Sequence, residues 1–431
     1  MLKFISRTGV LLALFLVATG VHAQDARVFV VAGTLIDTLN GKTIADPVVE
    51  IAGERIVAVT SGGGVPQGAT VIDLGDATLL PGLADMHTHL TFNDTDFGIE
   101  TLTVTSADAA IRGVVNARRA LMAGFTAARN LGAAGFEDVA LRDAINSGAI
   151  PGPRMQVSGP ALSATGGHCD NNWLPREYEA TAAGVADGPW AVRQKVRENR
   201  KYGVDVIKVC ATGGVLSKGT DPGARQISFE ELEAIVDEAH MLGMPVAAHA
   251  HGTEGILFAI RAGVDSIEHS SLIDKEGLEL AEEKGTFLSI NAYSPVFMRA
   301  NGESLGIPAD SLRRARAMAD RRLANYSTAI ESGARIVFGS DTSTYPHADH
   351  AKQFSVYVDL GMSPMQAIQS ATTIAAQSLG WVGDTGAIES GYYADIIAVE
   401  GNPIENIKLM NQIDFVMKDG IVFKQNGRAK N

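Results

Sequence analysis

Only two cysteines occur in 431 residues, Cys169 and Cys210. A chain this long can bury a core without a cross-link, so the sequence leaves open whether they pair in an oxidising compartment. Basic charge is also scarce: 36 Lys and Arg stand against 49 Asp and Glu, a formal net charge of −13. That deficit makes nucleic acid and anionic membranes poor partners and favours small molecules. Beyond the first two dozen residues no apolar run approaches the roughly 20 residues that span a bilayer. Internal repeats and low-complexity segments are missing too. With 46% hydrophobic and 20% charged residues, no stretch has the composition of a disordered tail, and the chain reads as folded and globular.

The N-terminus departs from this texture. Lys3 and Arg7 precede an apolar run from Val10 to Val21 that ends in Val21-His22-Ala23, the layout of a cleavable secretory signal. The mature chain is then expected to start at Gln24, exported to the periplasm or secreted. No cysteine follows the cleavage point to carry a lipid. Removing Lys3 and Arg7 from the 36 basic residues takes the net charge from −13 to about −15.

Residues 25–80 alternate β-rich runs such as "VFVVAGTLID" and "PVVEIAGERIVAVT" with Gly and Asn turns, and the last fifty residues do the same, with "KDG" as a hairpin turn. Between them, short apolar runs alternate with helical patterns, the order of βα units. Eight strands are expected, near residues 84–89, 125–130, 154–159, 204–209, 245–250, 266–269, 287–291 and 335–341. One helix is legible in detail: Ser228 and Glu231 have capping-box spacing before Leu232, Ile235, Val236 and Ala239, and Gly243 is the stop. The expected fold class is α/β, a (β/α)8 TIM barrel over residues 81–379. Residues 24–80 and 380–431 are expected to form one small composite β domain. The longest connection, from about Pro160 to Gly203, is a place for an active-site loop.

Chemistry gathers at the strand ends. "LADMHTHL" puts His87 and His89 on one face of the first strand, because residues i and i+2 of a strand point the same way. Alone, such a pair is either packing or half of a metal site. "VIKVC" puts Lys208 in an apolar strand, where an ammonium needs an ion-pair partner or a chemical modification. "AAHAHG" adds His249 and His251, "SIEHS" adds His269 and "IVFGSD" adds Asp341. Polar groups at the carboxyl ends of five barrel strands mark the catalytic face of such folds. Nitrogen and oxygen donors without thiolates suit zinc or a similar divalent ion, which points to a metallohydrolase.

In their order, "PGLADMHTH", "IKVCATGG", "AAHAHG", "SIEH" and "FGSD" resemble the amidohydrolase superfamily, and the resemblance runs from about Ala32 to Phe423. It implies that the composite β domain is a β-sandwich, and it implies a binuclear centre: His87, His89 and Asp341 on the more buried ion, His249 and His269 on the more exposed one. Lys208 would be carboxylated at its amine and bridge the two, since a carbamate has two oxygen donors where an ammonium has none. Asp341 would be the proton shuttle for a metal-bridging hydroxide. Lys208 sets the chain apart from the mononuclear deaminases of the superfamily, which commonly lack it.

"GFTAARNLG", "LRDAINSGAIPGPRM", "GGHCD" and "GGVLSKGTDPGARQISFEEL" are similar to the exported prolidase-like and carboxypeptidase-like members. That branch includes enzymes that hydrolyse the phenylalanine amide of ochratoxin. Cleavage of the amide to a C-terminal amino acid is therefore implied, in a homo-oligomer. His168 would contact the substrate carbonyl or carboxylate, with His251 and Tyr293 as further substrate contacts. The chain departs from the pattern at three places. Ile227 stands where an aromatic, often tyrosine, holds the substrate carboxylate, and an apolar pocket there favours a bulky apolar terminal residue. Arg129-Asn130 replaces Arg-Asp, and Cys169 replaces a glycine. Two rivals remain, an imidazolone- or lactam-opening hydrolase and a binding protein without catalysis.

Overall fold

A computed structural model describes residues 27–93 and 103–430. The leader read at residues 1–23 lies outside the described residues. The fold is mixed α/β. Its centre consists of eight strands: β1 (Leu83–Thr88), β2 (Phe125–Asn130), β3 (Arg154–Val157), β4 (Ile207–Cys210), β5 (Val246–Ala250), β6 (Ser266–His269), β7 (Phe287–Ile290) and β8 (Ile336–Phe338). They form two parallel sheets, ordered β3-β2-β1 and β4-β5-β6-β7-β8. Isolated parallel bridges Leu162–Val209 and Thr88–Thr342 link the chain just beyond β3 to β4, and β1 to the chain just beyond β8. Strands buried on both faces read as unbroken apolar runs, and every residue of β1, β2, β5 and β7 is buried.

The connecting helices explain why the strands lie side by side. Helix Phe229–Met241 starts at Ser228, whose hydroxyl accepts from Glu231 N while Ser228 N donates to the Glu231 carboxylate. This is the capping box read from the sequence, worth on the order of 1 kcal/mol. Leu232, Ile235, Val236 and Ala239 bury the inner face. Gly243, in the left-handed region at φ +74°, ends the helix and returns the chain to β5.

The terminal segments form two mixed sheets, each mostly antiparallel with one parallel pair. Arg55–Ser61, Pro47–Ala52, Arg27–Val31 and Thr70–Asp73 make a four-stranded sheet. A seven-stranded sheet mixes both ends of the chain: Arg428–Ala429, Ile421–Gln425, Phe415–Lys418 and Ile396–Val399 continue into Thr78–Pro81, Thr34–Asp37 and Lys42–Ala45. The "KDG" turn joins Phe415–Lys418 to Ile421–Gln425, with Asp419 and Gly420 both at positive φ, 52° and 74°. Two consecutive left-handed residues are what a type I′ hairpin needs.

Several expected strand ends differ by one to three residues, and two of them bear on the site. β8 stops at Phe338, three residues short of Asp341, and β1 stops at Thr88, one short of His89. Beyond β8 the chain turns: Gly339 packs against Ser289 and His87 with no room for a Cβ, and Asp341 sits at φ +61°. The same turn lets Asp341 N donate to His87 O at 2.7 Å.

Candidate metal centre

Six of the singled-out side chains converge. His87 Nε2 and His89 Nε2 lie 3.6 and 3.3 Å from Asp341 Oδ1, and these three residues offer ligand atoms within 4.8 Å of one another. A second trio, His249, His251 and His269, meets the same criterion. The trios adjoin: the His87 and His269 rings are 5.0 Å apart, and within the second trio the His249 and His269 rings are 4.4 Å apart. Lys208, 2% exposed on β4, interacts electrostatically with members of both trios. Among the described residues its Nζ has no hydrogen-bond partner.

Burial decides the charges here. Loss of solvent, reinforced by neighbouring imidazoles and cations, holds His249, His251 and His269 well below the ordinary histidine value. Their rings are neutral at pH 7, the form that carries a lone pair for a metal. Burial likewise pushes Lys208 down to about 8, although Glu268 and Asp341 pull the other way. For Asp341 burial opposes ionisation, but His87, His89 and Lys208 outweigh it and bring the carboxyl to about 2. His269 and Asp341 both occupy the left-handed backbone region, at φ 72° and 61°. Such strain in non-glycine residues clusters at functional sites.

A second layer of buried side chains holds these groups, and the sequence reading did not single it out. Glu268 is fully buried on β6. Its Oε2 lies 2.9 Å from His87 Nδ1, while Oε1 accepts from Arg129 Nη2 at 2.7 Å and Ser266 Oγ at 2.6 Å. A carboxylate at that distance favours the tautomer with the proton on Nδ1, which leaves Nε2 as the atom available to a metal. Asn291, just past β7, donates from Nδ2 to Asp341 Oδ2 at 2.7 Å, and its Oδ1 faces His269 Nδ1 at 3.2 Å. Arg322 donates to that same Oδ1, which fixes the orientation of the amide. One signal was present: an acid in the all-buried strand "SIEH" needs a buried partner. Glu268→Gln leaves the Arg129 guanidinium against a neutral amide. The expected cost is about 3–5 kcal/mol, read as a lower urea midpoint; a midpoint unchanged from the parent would mean that the pair does not hold the fold.

The remaining candidates are arranged as follows. The His168 ring packs on His249 with centroids 4.2 Å apart, and its backbone N donates to Gln226 Oε1 at 2.7 Å. Burial first, then Lys208, brings His168 down to about 4. Gly214 of "CATGG" lies under this ring, where a Cβ would collide with the imidazole. His251 hydrogen-bonds Ser271 Oγ through Nδ1 at 2.7 Å. Tyr293 packs edge-on against Tyr345, whose hydroxyl donates to Ser340 O beside Asp341. Ile227 is buried in the main apolar core, and its neighbour Gln226 is the residue that touches the His168 loop. The Arg-Asn departure has a physical counterpart. Asn130 Oδ1 accepts from Leu90 N, and Nδ2 lies 3.3 Å from buried Asp138, where an aspartate would oppose a second carboxylate. Cys169 and Cys210 are joined as a disulfide.

The donor set fits divalent metal ions. Neutral imidazoles and one carboxylate converge, and His87 Nε2, His89 Nδ1 and Lys208 Nζ are buried without hydrogen bonds among the described residues. Orphaned buried polar atoms are costly unless something binds them.

Comparison with known proteins agrees with this chemistry. The amidohydrolase family pattern matches residues 78–422. Ochratoxinase from Aspergillus niger is 35% identical over 433 residues, covering 94% of this chain and 88% of that protein. The crystal structure of A. niger ochratoxinase superposes with a TM-score of 0.83 at 34% identity, over 93% of this chain and 96% of that one. A Xaa-Pro dipeptidase crystallised with methionine in its active site gives a TM-score of 0.88 at 36% identity, over 92% and 100%. The chain belongs to the amidohydrolase family, within its prolidase-like and ochratoxinase branch, and is a hydrolase acting on amide bonds.

Proposed function

We propose that this hydrolase cleaves the amide joining an acyl or aminoacyl group to a C-terminal amino acid, using two divalent metal ions, zinc foremost. The observation that carries the reading is the pair of adjoining donor trios, together with a buried lysine that interacts electrostatically with both and has no hydrogen-bond partner among the described residues. His87, His89 and Asp341 would hold one ion and His249 and His269 the other. Lys208 would bridge them as its N-carboxylated form, which replaces a buried cation without a hydrogen-bond partner among the described residues by an anion that has two donor oxygens. Bound there, such ions bring the pKa of water toward neutrality and polarise a carbonyl.

The protein's own groups supply the rest. Asp341 is ionised at neutral pH and held by Asn291, so it takes the proton of the attacking water and returns it to the departing nitrogen. His168, neutral and stacked on His249, hydrogen-bonds the substrate carbonyl or carboxylate, with His251 and Tyr293 along the wall. The relatives support the substrate class: one is an ochratoxinase, and another holds methionine, a free amino acid of the kind this cleavage releases. The same reading takes the two parallel sheets as one (β/α)8 barrel spanning 81–379, closed at the bridges Leu162–Val209 and Thr88–Thr342. It places the protein outside the cytoplasm, behind a leader cleaved after Ala23, as a homo-oligomer.

The test is a panel of N-acyl amino acids and dipeptides varied at the C-terminal residue, ochratoxin included, with lactams alongside, assayed on metal-loaded protein. Release of the C-terminal amino acid is expected, abolished by chelation and restored by zinc. Turnover of the lactams alone would move the protein to cyclic-amide hydrolysis.

A further inference from the structure

The connection between β3 and β4 brings His168 to the centre, and little regular structure holds it there. Within the loop, Asp170 gathers the backbone: its carboxylate accepts from Gly166 N, Asn171 N and Ala182 N. That network ties the loop to itself. Its ties to the strands are fewer. Leu162 N donates to Lys208 O and Cys210 N to Leu162 O at the base, and His168 N donates to Gln226 Oε1 in the segment before helix Phe229–Met241. A further tie, next to His168, is covalent. Cys169 directly follows His168, and Cys210 ends β4 two residues after Lys208. Their Cα atoms are 6.2 Å apart, within the span of a disulfide. The bond therefore fixes the residue next to His168 to the strand that holds the central lysine.

We propose that the Cys169–Cys210 disulfide is a positioning bond that keeps His168 over the metal centre, so that the oxidised chain is the competent form. The proposal rests on the substrate contact assigned to His168 above. Without the bond, Gln226 is left as the polar anchor of the His168 backbone, and the imidazole loses its fixed seat between His249 and Gly214. A 1 Å misplacement at a reacting centre costs up to about 100-fold. The bond forms by exchange with a protein or small-molecule disulfide: the two thiols give up two electrons and two protons, and the oxidant leaves as two thiols. Once it has formed, neither sulfur is a thiolate. The cluster of His168, Cys169 and Cys210, close enough to hold an ion, then has no soft ligand to compete for metal.

The test uses the metal-loaded protein and a water-soluble phosphine, because a dithiol would chelate the metals. The phosphine gives two electrons to the S–S bond and takes oxygen from water, whose protons finish on Cys169 and Cys210. Alkylation of the unfolded, unreduced chain should label neither cysteine, and alkylation after reduction should label both. Reduction and Cys169→Ser should each raise KM toward the His168→Ala value, between about 10- and 100-fold, with metal per chain unchanged and a smaller effect on kcat. In a His168→Ala background, reduction should change nothing further.

Free thiols in the unreduced chain would overturn the proposal. So would a reduced enzyme with parental KM while His168→Ala is impaired, or an equal loss on reduction with and without His168. An extra equivalent of metal bound on reduction would make the trio a ligand set instead. If His168→Ala itself shows parental kinetics, the substrate contact assigned to His168 fails as well.

Discussion

Lys208→Met is expected to do opposite things to activity and to stability. In the metal-loaded enzyme it should lower kcat/KM by more than about 100-fold, beyond the loss of an outer-layer ligand partner, and bring metal content down from two ions toward one. In the metal-stripped protein it should stabilise the fold, because it keeps the volume of the side chain and removes a buried cation that has no hydrogen-bond partner among the described residues. Burial brings the ammonium down from 10.5 to about 8, a difference that corresponds to roughly 3 kcal/mol. The sign follows from proton binding. Between about 8 and 10.5 the unfolded chain holds the lysine proton and the folded chain does not, so parental stability rises with pH over that window. The advantage of Lys208→Met is therefore full at pH 7 and fades by about pH 10.5. Urea midpoints of the stripped proteins at pH 7 and 10, with metal analysis of the loaded ones, read both arms. A variant with parental turnover and two bound ions would remove the bridging role.

The second large effect is expected at Asp341. Asp341→Asn should lower kcat by about 10²–10⁴, the contribution of a positioned acid–base group, and leave KM within a few fold. The geometry explains why the neutral isostere is not equivalent. Asp341 Oδ2 accepts from Asn291 Nδ2 at 2.7 Å, while Oδ1 faces His87 and His89. An asparagine amide must present its oxygen to Asn291, which turns its NH2 toward the two histidines and removes both a base and an acceptor. Stopped-flow turnover with metal analysis of the same sample separates loss of the proton role from loss of an ion. Turnover within a few fold of the parent, with both ions bound, would end the proton-shuttle assignment.

The residues that aim inward were legible because of where they sit. His87, Lys208, His249, His269 and Asp341 each interrupt or end an apolar run, and a polar group there needs a purpose. The residues that orient them were not legible. Arg129 and Glu268 are 139 positions apart and meet only because β2 and β6 look into the same interior. Asn291 was visible as the end of a strand, but nothing local says that its amide reaches Asp341. The capping box at Ser228 and the hairpin turn at Asp419 and Gly420 were readable because their partners lie within four residues. The Cys169–Cys210 pairing depended on a loop path that periodicity does not encode. Strand ends slipped where the chain bends away to present a side chain, as it does after Phe338.

The seven-stranded sheet also sets a timetable. Thr78–Pro81 runs through Gly82 directly into β1, which carries His87, and its neighbour in the sheet is Ile396–Val399, with Pro81 opposite Ile396. Gly82 N itself donates to Asp395 O at 2.8 Å. The base of the first histidine strand is thus completed by residues synthesised some 315 positions after Pro81. Synthesis order and assembly order run against each other, so the histidine cluster reaches its final frame only after Ile396–Val399 has been made. A polypeptide cut short before residue 396 has every proposed ligand and still lacks the strand that sets the first of them in place.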